Sequence, residues 1–167
     1  MLAPIRALSV AALFSAALAT PAFAKPPWIS IEYPVNPYDA SLRGAYLVVH
    51  TFIHRSPMSL SLDGTAEGIV NGERRTIRLE FTAAAQPGVY ALRQLWPAEG
   101  VWTLVIRAAN GPGNVATALV EIGADGEIAA VKVPTRRQGD TALATDVAMA
   151  DIDRALRARA SALARRD

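Results

Sequence analysis

His50, His54 and Met58 follow one another at intervals of four, and the two histidines are the only ones in the 167-residue chain. Imidazole and thioether are suitable copper ligands, so the trio is a candidate metal site. Geometry restricts it. The stretch from Ala45 to His54 reads as a strand, where residues four apart lie about 13 Å apart, whereas metal–nitrogen bonds are about 2 Å. His50 and His54 can converge only if the strand ends near Ile53 and Arg55-Ser56-Pro57 folds back. Otherwise the histidines belong to a half-buried strand and a loop, and no cofactor is implied.

Other chemistry is thinly represented. Glycoside hydrolysis needs two facing carboxyls, and nothing in the spacing of Asp63, Glu67, Glu73 and Glu80 enforces that. There is no Gly-x-Ser-x-Gly elbow for a serine nucleophile, although Ser56, Ser59 and Ser61 lie near His54. Asp125 stands without the further acids a calcium loop requires. The chain has no cysteine, which excludes thiol catalysis, zinc ribbons and iron–sulfur ligation. The expectation is a non-enzyme.

Binding residues are easier to find. Arg74 and Arg78 share a strand face with Glu80 and offer contacts to a partner, or a charged surface that blocks aggregation. Trp96 and Tyr90 fall on one side of their stretch with Leu92, as core or as a stacking surface. Met149, Ile152, Leu156 and Leu163 recur at helical spacing, making an apolar stripe that must be buried on the domain or on a partner.

These residues need positioning elements. Trp28 to Glu32, flanked by prolines, reads as an edge strand. Ala45 to His54 is apolar on both faces, with Leu47, Val49 and Ile53 opposed to Tyr46, Val48 and Phe52. That implies cover on both sides, or a patch left for something else. Leu60 to Val70 contains Gly64 and Gly68, which suggest a bulge or bend. Asn71-Gly72 signals a type I′ hairpin, and Glu73 to Phe81 alternates after it. Strands follow at Val89 to Trp96, Val101 to Ala108, Val115 to Ile122 and Ile128 to Val133. With turns at regular spacing and no helical period between them, this predicts an all-β sandwich. Pro134 to Gly139 reads as a polar linker. After it comes an amphipathic helix capped by Thr145 or Asp146, with Arg157, Arg159, Arg165 and Arg166 toward its end.

Gly88-Val89-Tyr90, followed by Gly100-Val101-Trp102-Thr103-Leu104, resembles the closing half of bacterial exported immunoglobulin-like domains, the YtkA-like/FixH-like group. The resemblance implies an immunoglobulin-like β-sandwich. It also implies company with metal or redox assembly proteins of the cell envelope.

The first residues add an address. Arg6, the apolar run Leu8 to Leu18 and Ala22-Phe23-Ala24 form the three parts of a secretory signal peptide. The expected organisation is therefore a signal peptide over 1–24, an immunoglobulin-like domain over 25–135, and a linker with an amphipathic C-terminal α-helix over 136–167. Cleavage leaves no integral membrane segment. The formal charge of +2 generates no field suited to nucleic acid. The sequence thus predicts a periplasmic or secreted binding module whose partner is another envelope protein, with copper binding through His50, His54 and Met58 as the alternative.

Overall fold

The computed structural model describes residues 26–163 and Arg165. The proposed signal peptide and Arg166 lie outside the described residues. The strands in chain order are β1 (Pro27–Glu32), β2 (Leu47–Ile53), β3 (Ser56–Pro57), β4 (Ser61–Val70), β5 (Glu73–Arg78), β6 (Phe81–Ala83), β7 (Val89–Leu92), β8 (Val101–Ala109), β9 (Val115–Ile122), β10 (Ile128–Lys132), β11 (Thr135–Gln138) and β12 (Thr141–Ala144), followed by the helix α1 (Met149–Leu163).

Two antiparallel five-stranded sheets carry the fold. The first has the order β1-β2-β7-β6, with β3 folded back on β2; the second has the order β10-β9-β8-β4-β5. Their inward residues meet in one core. Ile29, Leu47, Val49 and Leu92 come from the first sheet, and Trp102, Leu104, Ile106 and Val120 from the second. Period-two alternation produces this directly, since every second residue of each strand faces the other sheet.

The expected bulge in β4 is absent. Its register with β8 runs unbroken from Ser61 to Ile69. Packing explains the glycines: a Cβ on Gly68 would lie 2.4 Å from the Trp102 ring, and one on Gly64 would lie 2.7 Å from the Val105 carbonyl. The indole of Trp102 lies across the strand at a place where only hydrogen fits, and its Nε1–H donates to the Glu99 carbonyl at 2.8 Å.

The long alternating strand Glu73 to Phe81 also divides. β5 pairs β4 in one sheet and β6 pairs β7 in the other, so the chain changes sheets at Leu79-Glu80. Alternation survives the crossing, because Ile77, Leu79 and Phe81 all pack on the core. The expected linker is instead a hairpin, β11 paired with β12, turning at Gly139 with φ +60°. Its polar composition conceals strands that pair mainly with each other. The Asn71-Gly72 turn has the two positive φ values, 51° and 80°, of the predicted type I′ hairpin.

Gly68 has an ordinary φ, whereas Gly72 sits at φ +80° with open space around it. Gly68→Ala should therefore destabilise the domain by about 3 kcal/mol or more through overpacking, against about 1 kcal/mol for Gly72→Ala. Urea denaturation of the two variants checks the order; equal losses would contradict the packing role given to Trp102.

Candidate functional site

The outer faces of the two sheets differ. That of the second sheet is covered by α1, where Ile152 and Leu156, at 2% and 1% exposure, close over Val105 with Ile69, Val101, Leu119 and Val147 around them. Polar contacts fix the helix at both ends. Asp146 accepts from Arg107 Nε and Thr117 Oγ1, each at 2.8 Å. Arg159 donates to the Ile122 carbonyl at 2.7 Å and to the Trp102 carbonyl at 3.0 Å. Between them Arg74 reaches both the buried Glu67 and Asp153 of the helix, at 2.7 Å each.

This arrangement relocates several residues read from sequence as partner contacts. Ile152 and Leu156 face the sandwich and are not available at the surface; Leu163 is half-buried. Arg74 is engaged in holding the helix. Arg78 stays exposed at the end of β5, and Glu80 lies exposed in the crossing segment beyond it. Asp146 does not cap α1, because its carboxylate bonds the Val147 N–H and the sheet. Ala148 accepts the first helical N–H groups, from Asp151 and Ile152.

The outer face of the first sheet is covered only in part. Leu42, Val48 and Val89 form a small cluster there. Beside it the ladder aligns Trp28 with Phe52 and Pro57, and Ser30 with His50 and Val89. Opposed residues project to the same side, so Trp28, Phe52, Pro57 and His50 form a continuous surface. Trp28 is 40% exposed. The rings of His50 and Phe52 stack at 6.4 Å, and His50 Nε2 lies 2.8 Å from Glu32 Oε2.

Two hollows meet at Phe52. One, of about 270 Å³, lies among His50, Pro57, Pro87 and Gly88. The other, of about 590 Å³, is a groove between Trp28, the His54-Arg55 turn and β12. Gly88 is obligatory beneath the first: it has φ +75°, and a Cβ would lie 2.6 Å from the Thr51 carbonyl.

The chain does fold back after Ile53, the condition set for a copper site. Alternation nevertheless separates the ligands. Pro57 shares the face of Phe52 and His50, so Met58, next along the chain, turns to the other face. His54 stands at the tip of the turn with φ 50°. Among the described residues no three His, Cys, Asp or Glu side chains are grouped to hold a metal ion. Of the aromatic residues, Tyr90 and Trp96 pack on the core, and the Tyr90 hydroxyl donates to the Leu60 carbonyl at 2.8 Å. The cross-strand pair that sequence reasoning underweighted is Trp28 and Phe52; the apolar second face of β2 was the signal for Phe52.

No protein-family model, curated protein or solved structure matches this chain. Among the described residues no helix is long and apolar enough to cross a membrane.

Burial opposes ionisation of Asp146, but hydrogen bonds from Arg107, Thr117 and the Val147 N–H outweigh it and hold the carboxyl below its ordinary value of 3.8. A depressed folded pKa contributes stability above the unfolded value, and that stability is lost as pH falls through the folded one. Asp146→Asn should remove part of the acid-side loss of stability below about pH 4 while weakening the domain at neutral pH. Denaturant midpoints of both chains between pH 7 and pH 2.5 provide the measurement.

Proposed function

We propose that this chain is an exported, non-catalytic binding module of the bacterial cell envelope, periplasmic or secreted. It presents the open face of its first sheet to another envelope protein. The observation that carries this reading is the difference between the two outer faces. One is sealed by α1, while the other leaves Trp28, Phe52, His50 and Pro57 contiguous and accessible. A large aromatic beside apolar and hydrogen-bonding groups is the composition of an interface centre.

Export is supported by Arg6, the run Leu8 to Leu18 and the Ala22-Phe23-Ala24 cleavage pattern. An immunoglobulin-like arrangement is supported by the strand order, with β1-β2-β7-β6 facing β9-β8-β4-β5; sandwiches of that class pair strands A, B, E and D against C, F and G. The likeness to the YtkA-like/FixH-like group rests on Gly88, Tyr90, Gly100 and Trp102. Gly88 and Gly100 sit at positive φ where a Cβ would meet backbone, and Tyr90 and Trp102 pack on the core. The copper alternative draws on His50, His54 and Met58, and no observation of their placement favours it.

Chemical crosslinking in the exporting cell tests the proposal. Trp28→Ala combined with Phe52→Ala should reduce the recovered crosslinked partner at least about tenfold, as loss of an interface anchor does. Arg154→Ala combined with Arg157→Ala, on the exposed side of α1, should leave recovery unchanged. Equal recovery from the two double variants, both still folded, contradicts the assignment of the binding face.

A further inference from the structure

Two turns of the same kind occur in this protein, and they are built from different residues. The β4–β5 hairpin turns through Asn71-Gly72, the pair that tolerates two positive φ angles with least strain. The β2–β3 hairpin, which pairs Phe52 with Pro57 and Ile53 with Ser56, turns through His54 and Arg55 at φ 50° and 67°. A side chain in the left-handed region works against the backbone, and two in succession do so twice. Strain of this kind persists where the side chains are needed.

Both residues are exposed, and neither makes a hydrogen bond or ion pair among the described residues. They line the groove beside Trp28 and Phe52, opposite Thr141 to Ala144 of β12. No carboxylate lines that groove; its charged group is Arg55, with the His54 imidazole next to it. The surface therefore combines an apolar floor with a cationic, hydrogen-bond-donating rim.

We propose that this groove binds an acidic protein segment. One of its carboxylates is held by the Arg55 guanidinium and the His54 ring, and a neighbouring apolar side chain lies against Trp28 and Phe52. The inference rests on the binding face proposed above and specifies what that face recognises. Arginine suits the role because its planar fork meets a carboxylate with two parallel hydrogen bonds. A protein segment is favoured because the site is an open groove, with room for one or two side chains and a wall of strand residues along it. A free amphiphile is better served by an enclosed cavity.

The discriminating variant is His54→Asn with Arg55→Gly, which installs the unstrained turn and removes both recognition groups. Its melting temperature should rise by roughly 2–6 °C as the left-handed strain is relieved, so a loss of binding cannot be attributed to misfolding. The probe is an acetylated, amidated hexapeptide alternating leucine and glutamate, with its leucine–glutamine counterpart as control. Calorimetry, together with emission from Trp28, the one tryptophan of the three that is substantially exposed, reports binding to the exported chain.

The glutamate peptide should bind at least about tenfold more tightly than the glutamine peptide, and at least about tenfold more tightly to the native chain than to the double variant. Equal affinities in either comparison overturn the proposal, as does no binding at about 1 mM peptide. Binding to anionic phosphatidylglycerol vesicles in place of the peptide overturns it as well. If the crosslinked envelope partner depends on Trp28 and Phe52 but is retained by the double variant, the binding face stands and the acidic ligand is rejected.

Discussion

Glu67 lies on the outer face of the second sheet with 1% of its surface exposed, and an acidic side chain taken out of water needs polar partners. Thr76 donates to it at 2.7 Å and Arg74 closes on the same oxygen. The same guanidinium holds Asp153 through Nε and Nη2. One buried acid thus recruits an arginine, and the arginine recruits a helix. The apolar stripe of α1 supplies the area, since Ile152 and Leu156 complete a cluster over Val105. The ionic chain fixes where along the sheet that stripe lands. Once it has landed, α1 covers one face of the sandwich, while Trp28 on the first sheet stays 40% exposed.

Much of this was legible in the sequence. Period-two alternation located the core residues Trp102, Leu104 and Ile106, and Asn71-Gly72 located a turn, because both signals are local. The misreadings share a cause. Gly64 and Gly68 suggested a bulge because glycine in a strand has two explanations, and only the partner strand tells them apart; here it carries an indole. The passage of Glu73 to Phe81 between sheets left no trace, because the in-and-out pattern continues through the crossing. Ile152 and Leu156 were identifiable as a stripe, yet what covers a stripe is decided by the sheet surface facing it. Trp28 was placed in an edge strand and Phe52 on an unclaimed face, but their adjacency depends on the register of β1 with β2, which no local pattern encodes.

The histidines illustrate the same limit. Their spacing of four invited a metal reading, and the fold-back that such a site required is present. Face alternation then places His50 with Glu32 and Phe52, His54 at the turn tip, and Met58 on the opposite side. Residues four apart in sequence acquire three different environments because the two-residue turn contains His54 and separates His50 from Met58. Type and spacing can nominate a ligand set, but strand parity decides whether its members meet.

Edge protection bears on how the open face can be used. A free strand edge invites pairing with another chain, and folded proteins suppress it with charge, proline, bulges or short strands. Each edge of the two main sheets here carries such a device. β5 bears Glu73, Arg74, Arg75 and Arg78; β6 has three residues; β10 shifts register between Ile128 and Ala130; β1 follows Pro26, begins at Pro27 and is followed by Pro34. Strand addition is disfavoured all round. The exposed ring of Trp28 therefore does not mark an edge awaiting a strand. It belongs to a surface of side chains, where Phe52 lies opposite it on the neighbouring strand and the His54-Arg55 turn stands beside it. The binding proposed for that face would therefore select a partner by shape and charge, because the strand edges disfavour further pairing.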